Sequence, residues 1–362
     1  MSHAECDVVV IGAGISGLAA THHLVRDARR RVLCVEARDR VGGRALSVDT
    51  GSGPADLGAT WWWANEPAVR ELVEELQVPV FDQYREGDAV VELVDGDVRR
   101  IDGNPWEPPA FRFRDGAQDL AQRMADTLPE GVLRLDSPVS AVTVNDGGAL
   151  VRVAAGTEIE TAAVILAVPP ALAVSTIDVS PPLDASLVDV ARTTAVWMGD
   201  MVKAVATYAT PFWRSGGMAG SAMSQRGPFR EFHDMSVPGR GGAIFAFAPA
   251  VPCEGLLDEE LRSRFIDQVA RLFGPEGGLP LSVHVKNWRA DPWTAPGRRL
   301  DAGEATTATY GHRVFQPAAH GGSGTIRWAS TETDTAFPGH LEGAIRAGIR
   351  AARSVAEGRA DD

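Results

Sequence analysis

The stretch Val8-Val9-Val10-Ile11-Gly12-Ala13-Gly14-Ile15-Ser16-Gly17 decides how the rest of this chain is read. Its apolar run, ending at Ile11, suits a strand buried on both faces. Gly12 permits a tight turn, Gly14 lets a pyrophosphate come close to the backbone, and Gly17 lets the following helix pack on the strand. That helix, expected from Ile15 through Ser16 to about Arg26, aims free N–H groups and the positive end of its dipole at phosphate. A second strand over residues 31–35 leads to Glu36, about 20 residues beyond Gly17, where a carboxylate accepts hydrogen bonds from a ribose diol. A Gly-rich turn alone is a weak signal. Strand, glycines, helix, strand and acid in register predict an α/β unit that holds a dinucleotide.

Just downstream, Ala37-Arg38-Asp39-Arg40-Val41-Gly42-Gly43-Arg44 sets three arginines around a Gly-Gly pair, where backbone and guanidinium groups can wrap one pyrophosphate. A plain nicotinamide enzyme has no need of a second phosphate-facing glycine loop. Further along, Asn65 is placed to cap a helix with Pro67 in its first turn, and residues 117–128 predict another. Strands follow at 132–135, 139–144 and 150–154, the last two joined across Asn145-Asp146-Gly147-Gly148. Residues 163–168 are again continuously apolar, as a returning parallel strand would be. Different material lies between: a hairpin over 90–101, then several strands between about 195 and 288, interrupted by one helix, Asp258–Phe273. A mostly antiparallel sheet is the natural arrangement for it.

The 362 residues suffice for two domains without covalent staples. Lys plus Arg number 35 against 48 Asp plus Glu, a net charge of −13; that disfavours nucleic acid and anionic membrane surfaces as partners. Three widely spaced cysteines, Cys6, Cys34 and Cys253, fit buried free thiols in a reducing cytoplasm better than a disulfide. Acidic residues Glu5 and Asp7 precede the first apolar run, which breaks at Gly12, so no signal peptide is expected. No stretch has the apolar length to span a bilayer, and no metal-ligand or Ser-His-Asp spacing is present.

Glu36 to Arg44, followed by Asp56-Leu57-Gly58-Ala59-Thr60-Trp61, resembles the flavin-containing amine oxidases, the monoamine, polyamine and L-amino-acid oxidases. Met198-Gly199-Asp200-Met201-Val202-Lys203 resembles their lysine-bearing strand. Trp288 with Asp291-Pro292-Trp293, and residues 327–352, resemble their C-terminal flavin segment, including Ser330-Thr331-Glu332-Thr333 and Pro338-Gly339-His340-Leu341-Glu342-Gly343-Ala344. The resemblance implies a Rossmann-like FAD-binding domain built from residues 1–78, 113–194 and 289–362. Interleaved with it would be a substrate domain from 79–112 and 195–288, with the family's helical subdomain reduced to residues 78–112. A trimmed enzyme of this kind leaves its substrate cavity open or closes it with a partner subunit, and a homodimer is compatible with either.

The same resemblance assigns roles. It implies hydride removal from the carbon of a small neutral amine by flavin, with O2 as the electron acceptor; a desaturase of the same fold and a flavin-binding protein without turnover are the alternatives. Lys203 sits in an otherwise apolar or small-residue strand, where an ammonium is costly without a partner, and is expected beside flavin N5. Gly58, Ala59, Thr60, Trp61, Val139, Trp288 and Leu341 are expected around the cofactor, with Glu332 at its ribityl–pyrophosphate region. Where the family clamps the amine between two aromatic rings, this chain has His340 and the Gly297-Arg298 region. Trp293, or one of Trp61, Trp62 and Trp63, would compensate; the three tryptophans fit either a cavity wall or ordinary packing. Pro296-Gly297 stands where some members attach flavin through cysteine, so FAD is expected to be non-covalent. Arg226, Arg230 and Arg298 are candidates for a substrate carboxylate.

Overall fold

The computed structural model describes residues 3–154, 156–295, 306–316 and 324–357. The first strand, His3–Ile11, lies inside an eight-stranded sheet, parallel to Val32–Val35 on one side and Glu158–Leu166 on the other. Val8 and Val10 enter one apolar cluster with the helices, whereas Val9 and Ile11 enter a second cluster on the opposite face. A strand covered on both sides has no reason to alternate polar and apolar residues, and hence its continuous run. The helix Ile15–Arg26 follows as expected, and Leu133–Arg134 extends the parallel set beyond Val32–Val35.

Glu158–Leu166 begins five residues before the expected start. Its first half alternates Glu158 and Glu160 with Ile159 and Thr161 because only one side is covered there. The hairpin of Val139–Asn145 and Gly148–Val153 pairs antiparallel with that half, and Ile326–Trp328 joins the second half in parallel. The C-terminal segment is thereby brought beside the strand next to the N-terminal one.

A seven-stranded second sheet has the order Ser282–Asn287, Met201–Tyr208, Gly242–Pro249, Glu231–Asp234, Met218–Ser224, Asp88–Glu92, Val98–Ile101. All neighbours are antiparallel except Met218–Ser224 with Asp88–Glu92. One face packs on the helix Asp258–Phe273 through Phe232, Ala246 and Phe265. The other face turns Val205 and Phe245 towards Ala55 and Leu57, at the seam with the first sheet. The segment from 83 to 110 supplies the last two strands at one end of this sheet, Asp88–Glu92 and Val98–Ile101, paired as a hairpin where the sequence led one to expect it over 90–101.

The expected cap at Asn65 is not found. The helix Pro67–Glu75 starts with Pro67 in its first turn, but the capping position is Glu66, whose side chain makes no cap. Its carboxylate is engaged elsewhere, as described below.

The last helix, Leu341–Glu357, lies against the first. A methyl group on Gly348 would stand 2.1 Å from the Ser16 carbonyl oxygen, and one on Gly343 1.9 Å from that of Phe337. Glycine is required at both places by backbone contact. Gly348→Ala is therefore expected to force the helices apart at a cost of about 1–3 kcal/mol. Thermal melting should show it, with Gly147→Ala, whose added methyl meets only Asn145 Oδ1 at 3.7 Å, as the near-neutral control.

Candidate active site

A cleft opens at the C-terminal ends of the parallel strands, the position where open α/β sheets bind ligands, with about 130 Å³ open to the centre of a water-sized sphere. Gly12 turns the chain at a positive φ of 101°. Gly14, extended at the start of the Ile15–Arg26 helix, leaves that helix without a side-chain cap, so its first N–H groups face the cleft. Gly14 is bridged to Gly42, and a methyl on Gly43 would reach within 3.2 Å of the Gly14 α-carbon. The two glycine loops thus meet backbone to backbone. Gly17 lies behind them, packed so closely that a methyl would strike the Gly12 carbonyl oxygen. Glu36 is buried at the rim, accepting from Ala13 N–H at 2.7 Å and Arg38 N–H at 3.0 Å. Ile15, Ser16, Ala37, Ala59, Val139 and Leu341 complete the expected lining that the cleft contains.

The three arginines are held by protein groups. Arg38 donates to Asp291 at 2.6 Å and Thr294 at 3.0 Å, and Arg40 to the Val41 and Gly43 carbonyls. Burial works against ionisation of Asp291, but the hydrogen bond from Lys286 and the charge of Arg38 outweigh it and hold its carboxyl below the usual range. Arg44 makes a bidentate pair with Glu332, at 2.5 and 3.1 Å. Glu332 is fully buried in that pair, and its neighbour Thr331 lines the cleft in its place.

Lys203 is 1 % exposed, on the strand Met201–Tyr208. Its Nζ donates to the Gly58 carbonyl at 2.9 Å and to Thr60 Oγ1, and lies 4.2 Å from the Phe245 ring centre and 5.1 Å from that of Phe247. Ala59, between its two oxygen partners, lines the cleft. Burial lowers the Lys203 pKa to about 7; Asp56 opposes this and Arg112 adds to it.

The tryptophans divide. Trp62 is buried and stacked on Phe111, a packing residue. Trp61 contacts Phe245 and His233, and Trp63 stands 5.3 Å from His340, ring centre to ring centre. Trp293 and His340 line the cleft. Trp288 is buried behind it, donating to the Leu57 carbonyl at 2.7 Å. Arg226 lies against Gly96 at the edge hairpin and Arg230 over the Ser224 carbonyl, so neither reaches the cleft. Pro296, Gly297 and Arg298 lie outside the described residues.

Two charged sets escaped the sequence. Glu66, buried, meets His340 Nδ1 at 2.7 Å. Buried His233 lies between Glu107 and Glu231, which raise its pKa against the effect of burial. Glu66 lies 274 residues from His340 and Glu107 is likewise remote from His233, so local sequence carries no sign of those contacts; Glu231, two residues before His233, is the one near partner. Among the described residues no group of three or more His, Cys, Asp or Glu is placed to hold a metal ion, and no helix is long and apolar enough to cross a membrane.

Two glycine loops, an acid at the rim and a cleft over parallel strands define a dinucleotide-binding fold. The family described as flavin containing amine oxidoreductase matches residues 107–356, and the NAD(P)-binding Rossmann-like domain matches 10–76; the chain belongs to the flavin-containing amine oxidoreductase family. A Mycobacterium tuberculosis protein with the provisional name flavin-containing monoamine oxidase AofH is 28% identical over 450 aligned positions, covering 97% of this chain and 96% of that one. Putrescine oxidase of Kocuria rosea is 26% identical, covering 97% and 95%. A putrescine oxidase structure with putrescine bound superposes with a TM-score of 0.85 over 98% of this chain and 99% of that one, at 24% identity, a likeness of fold. Alignments of 450 positions against a chain of 362 residues leave stretches of the relative with no counterpart here.

The environment of Lys203 has a stability signature. Its pKa falls from 10.5 to about 7 on folding, so between those values the unfolded chain binds more protons and stability from this group rises with pH. Lys203→Met removes that dependence. Denaturant titrations from pH 7 to 10 should show the parent gaining stability relative to the variant across this window.

Proposed function

We propose that this protein is an FAD-dependent oxidase of a small primary or natural-product amine, yielding the imine and, with O2, hydrogen peroxide. The observation that carries the reading is Lys203: a lysine buried in an apolar strand, bonded among the described residues to neutral oxygens on either side of Ala59, a residue of the cleft wall. The names of the relatives, which act on monoamines and putrescine, support the substrate class.

Residues 1–78, 113–194 and 289–362 would form the FAD-binding domain, and 79–112 with 195–288 the substrate domain. The uncapped helix at Gly14–Gly17 and the Gly42-Gly43 loop fit a pyrophosphate, and Glu36 a ribose diol. When bound, FAD supplies the hydride acceptor that protein side chains lack. The chain's part is to orient and to set charge. The N-terminus of Leu341–Glu357 opens on the cleft through Leu341 and Ala344, where its dipole favours negative charge. Lys203 and Thr60 would hold a water or oxygen species beside the reacting edge; Trp293 and His340 would bound the amine. No cysteine stands among the cleft residues and the three thiols are free, which supports non-covalent FAD and a reducing compartment.

Anaerobic mixing with monoamines, diamines and amino acids should bleach the yellow protein with at least one amine, and readmitted O2 should restore the colour with release of peroxide. Absence of bleaching across the panel overturns the reading. Lys203→Met is expected to slow bleaching or recolouring at least about tenfold, some 1.4 kcal/mol of barrier; unchanged rates remove the lysine from the mechanism. Acid precipitation should leave a colourless pellet under a yellow supernatant.

A further inference from the structure

We propose that Glu66 and His340 form a carboxylate–imidazole pair that removes the ammonium proton from the incoming substrate. The inference rests on the amine-oxidase reading and adds to it the base and the residue that positions it.

His340 is the residue before the last helix, and its ring lines the cleft with its side chain 44% exposed. Nδ1 lies 2.7 Å from Glu66 Oε1. Glu66 is 1 % exposed, and its other oxygen accepts from the Trp63 N–H at 3.0 Å. A carboxylate at Nδ1 places the ring proton there in the neutral imidazole, which leaves the Nε2 lone pair free to accept. The Trp63 ring, 5.3 Å away and tilted by 49°, and the Phe337 ring at 6.4 Å flank the imidazole.

An alkylamine enters at neutral pH as an ammonium, with a pKa of about 10. It has no lone pair until a proton leaves, and hydride cannot depart from its carbon before then. In the proposed step an N–H bond of the ammonium breaks, a proton bonds to His340 Nε2, and the amine keeps the electron pair. The imidazolium formed is opposed by the Glu66 carboxylate and returns its proton to water at the exposed ring. His340 is the catalytic residue of this step and Glu66 its positioning residue.

Other charged groups pack nearby. Glu342, in the first turn of the last helix, is fully buried with one oxygen accepting from Val69 N–H at 3.0 Å. Burial pushes its carboxyl up, and Glu66 contributes in the same direction. Arg346 faces Asp334. Glu342 is the competing titrating group, and the experiment includes it.

The test follows anaerobic flavin bleaching against pH in the FAD-loaded parent, Glu66→Gln, His340→Tyr and Glu342→Gln. Glu66→Gln and His340→Tyr should bleach at least tenfold more slowly at pH 7 and regain most of that loss as the pH approaches 10, where about half of the amine is neutral without a base. Glu342→Gln should keep the parent's pH dependence. A loss of equal size at every pH, parental behaviour of Glu66→Gln at pH 7, or a shift that follows Glu342 overturns the proposal. Nitrogen NMR of the histidine-labelled holoprotein reads the pair without turnover, with the His340 signal assigned by its loss in His340→Tyr. The neutral ring should carry its proton on Nδ1, and a proton on Nε2 overturns the proposal even if the parent oxidises amines. If no amine bleaches the parent, the oxidase reading fails and the tautomer still decides the pair.

Discussion

Two helices from opposite ends of the chain touch through their backbones, with no side chain between Gly348 and the Ser16 carbonyl. Everything around the cleft depends on that contact. The first helix starts from Gly14 without a side-chain cap, which leaves its opening N–H groups free towards the cleft. Something else must hold it, and the terminal helix does so from the side. Gly17 against Gly12, and Gly58 against the Arg44 carbonyl, repeat the device. Close backbone approach leaves little room for adjustment, which makes the cleft a preorganised site.

Charge adds a second tie between the chain ends. Arg44 and Glu332 are bidentate, with the carboxylate fully buried and the guanidinium partly so, and such a pair gains little net stability once desolvation is counted. Its value is positional: it aligns the second glycine loop with the segment that leads into the terminal helix. Arg38 and Asp291 do the same for the segment carrying Trp293. The arginines thereby serve as struts in the wall, with backbone N–H groups left to meet an anion.

The second sheet contributes a buried amine. Aromatic rings and neutral oxygens surround Lys203, and its charge is disfavoured for that reason. The strand tolerates it because Gly58 and Thr60 accept its hydrogens, and those acceptors belong to the turn that forms the cleft wall. Lysine and wall are consequently one mechanical unit. The strands Asp88–Glu92 and Val98–Ile101 lie at the other end of the same sheet, away from that unit.

Local chemistry was enough to read the strand ending at Ile11, the helix Ile15–Arg26, the acid at Glu36 and the helix Asp258–Phe273. Each is set by its own residues: a run covered on both faces, glycines where a backbone must turn, a period that repeats along one side. Asn65 failed as a cap because a cap depends on where the preceding residue points, and Glu66 was drawn to His340. The start of Glu158–Leu166 was hidden for a related reason, since its pattern reflects which neighbours cover it. Which tryptophan packs and which faces His340, that Glu332 serves Arg44, and that Glu66 meets a histidine 274 residues away were decided only by the tertiary structure. Periodicity and turn chemistry are properties of adjacent residues, whereas the partner of a buried charge is chosen by the whole fold from groups that the chain itself keeps far apart.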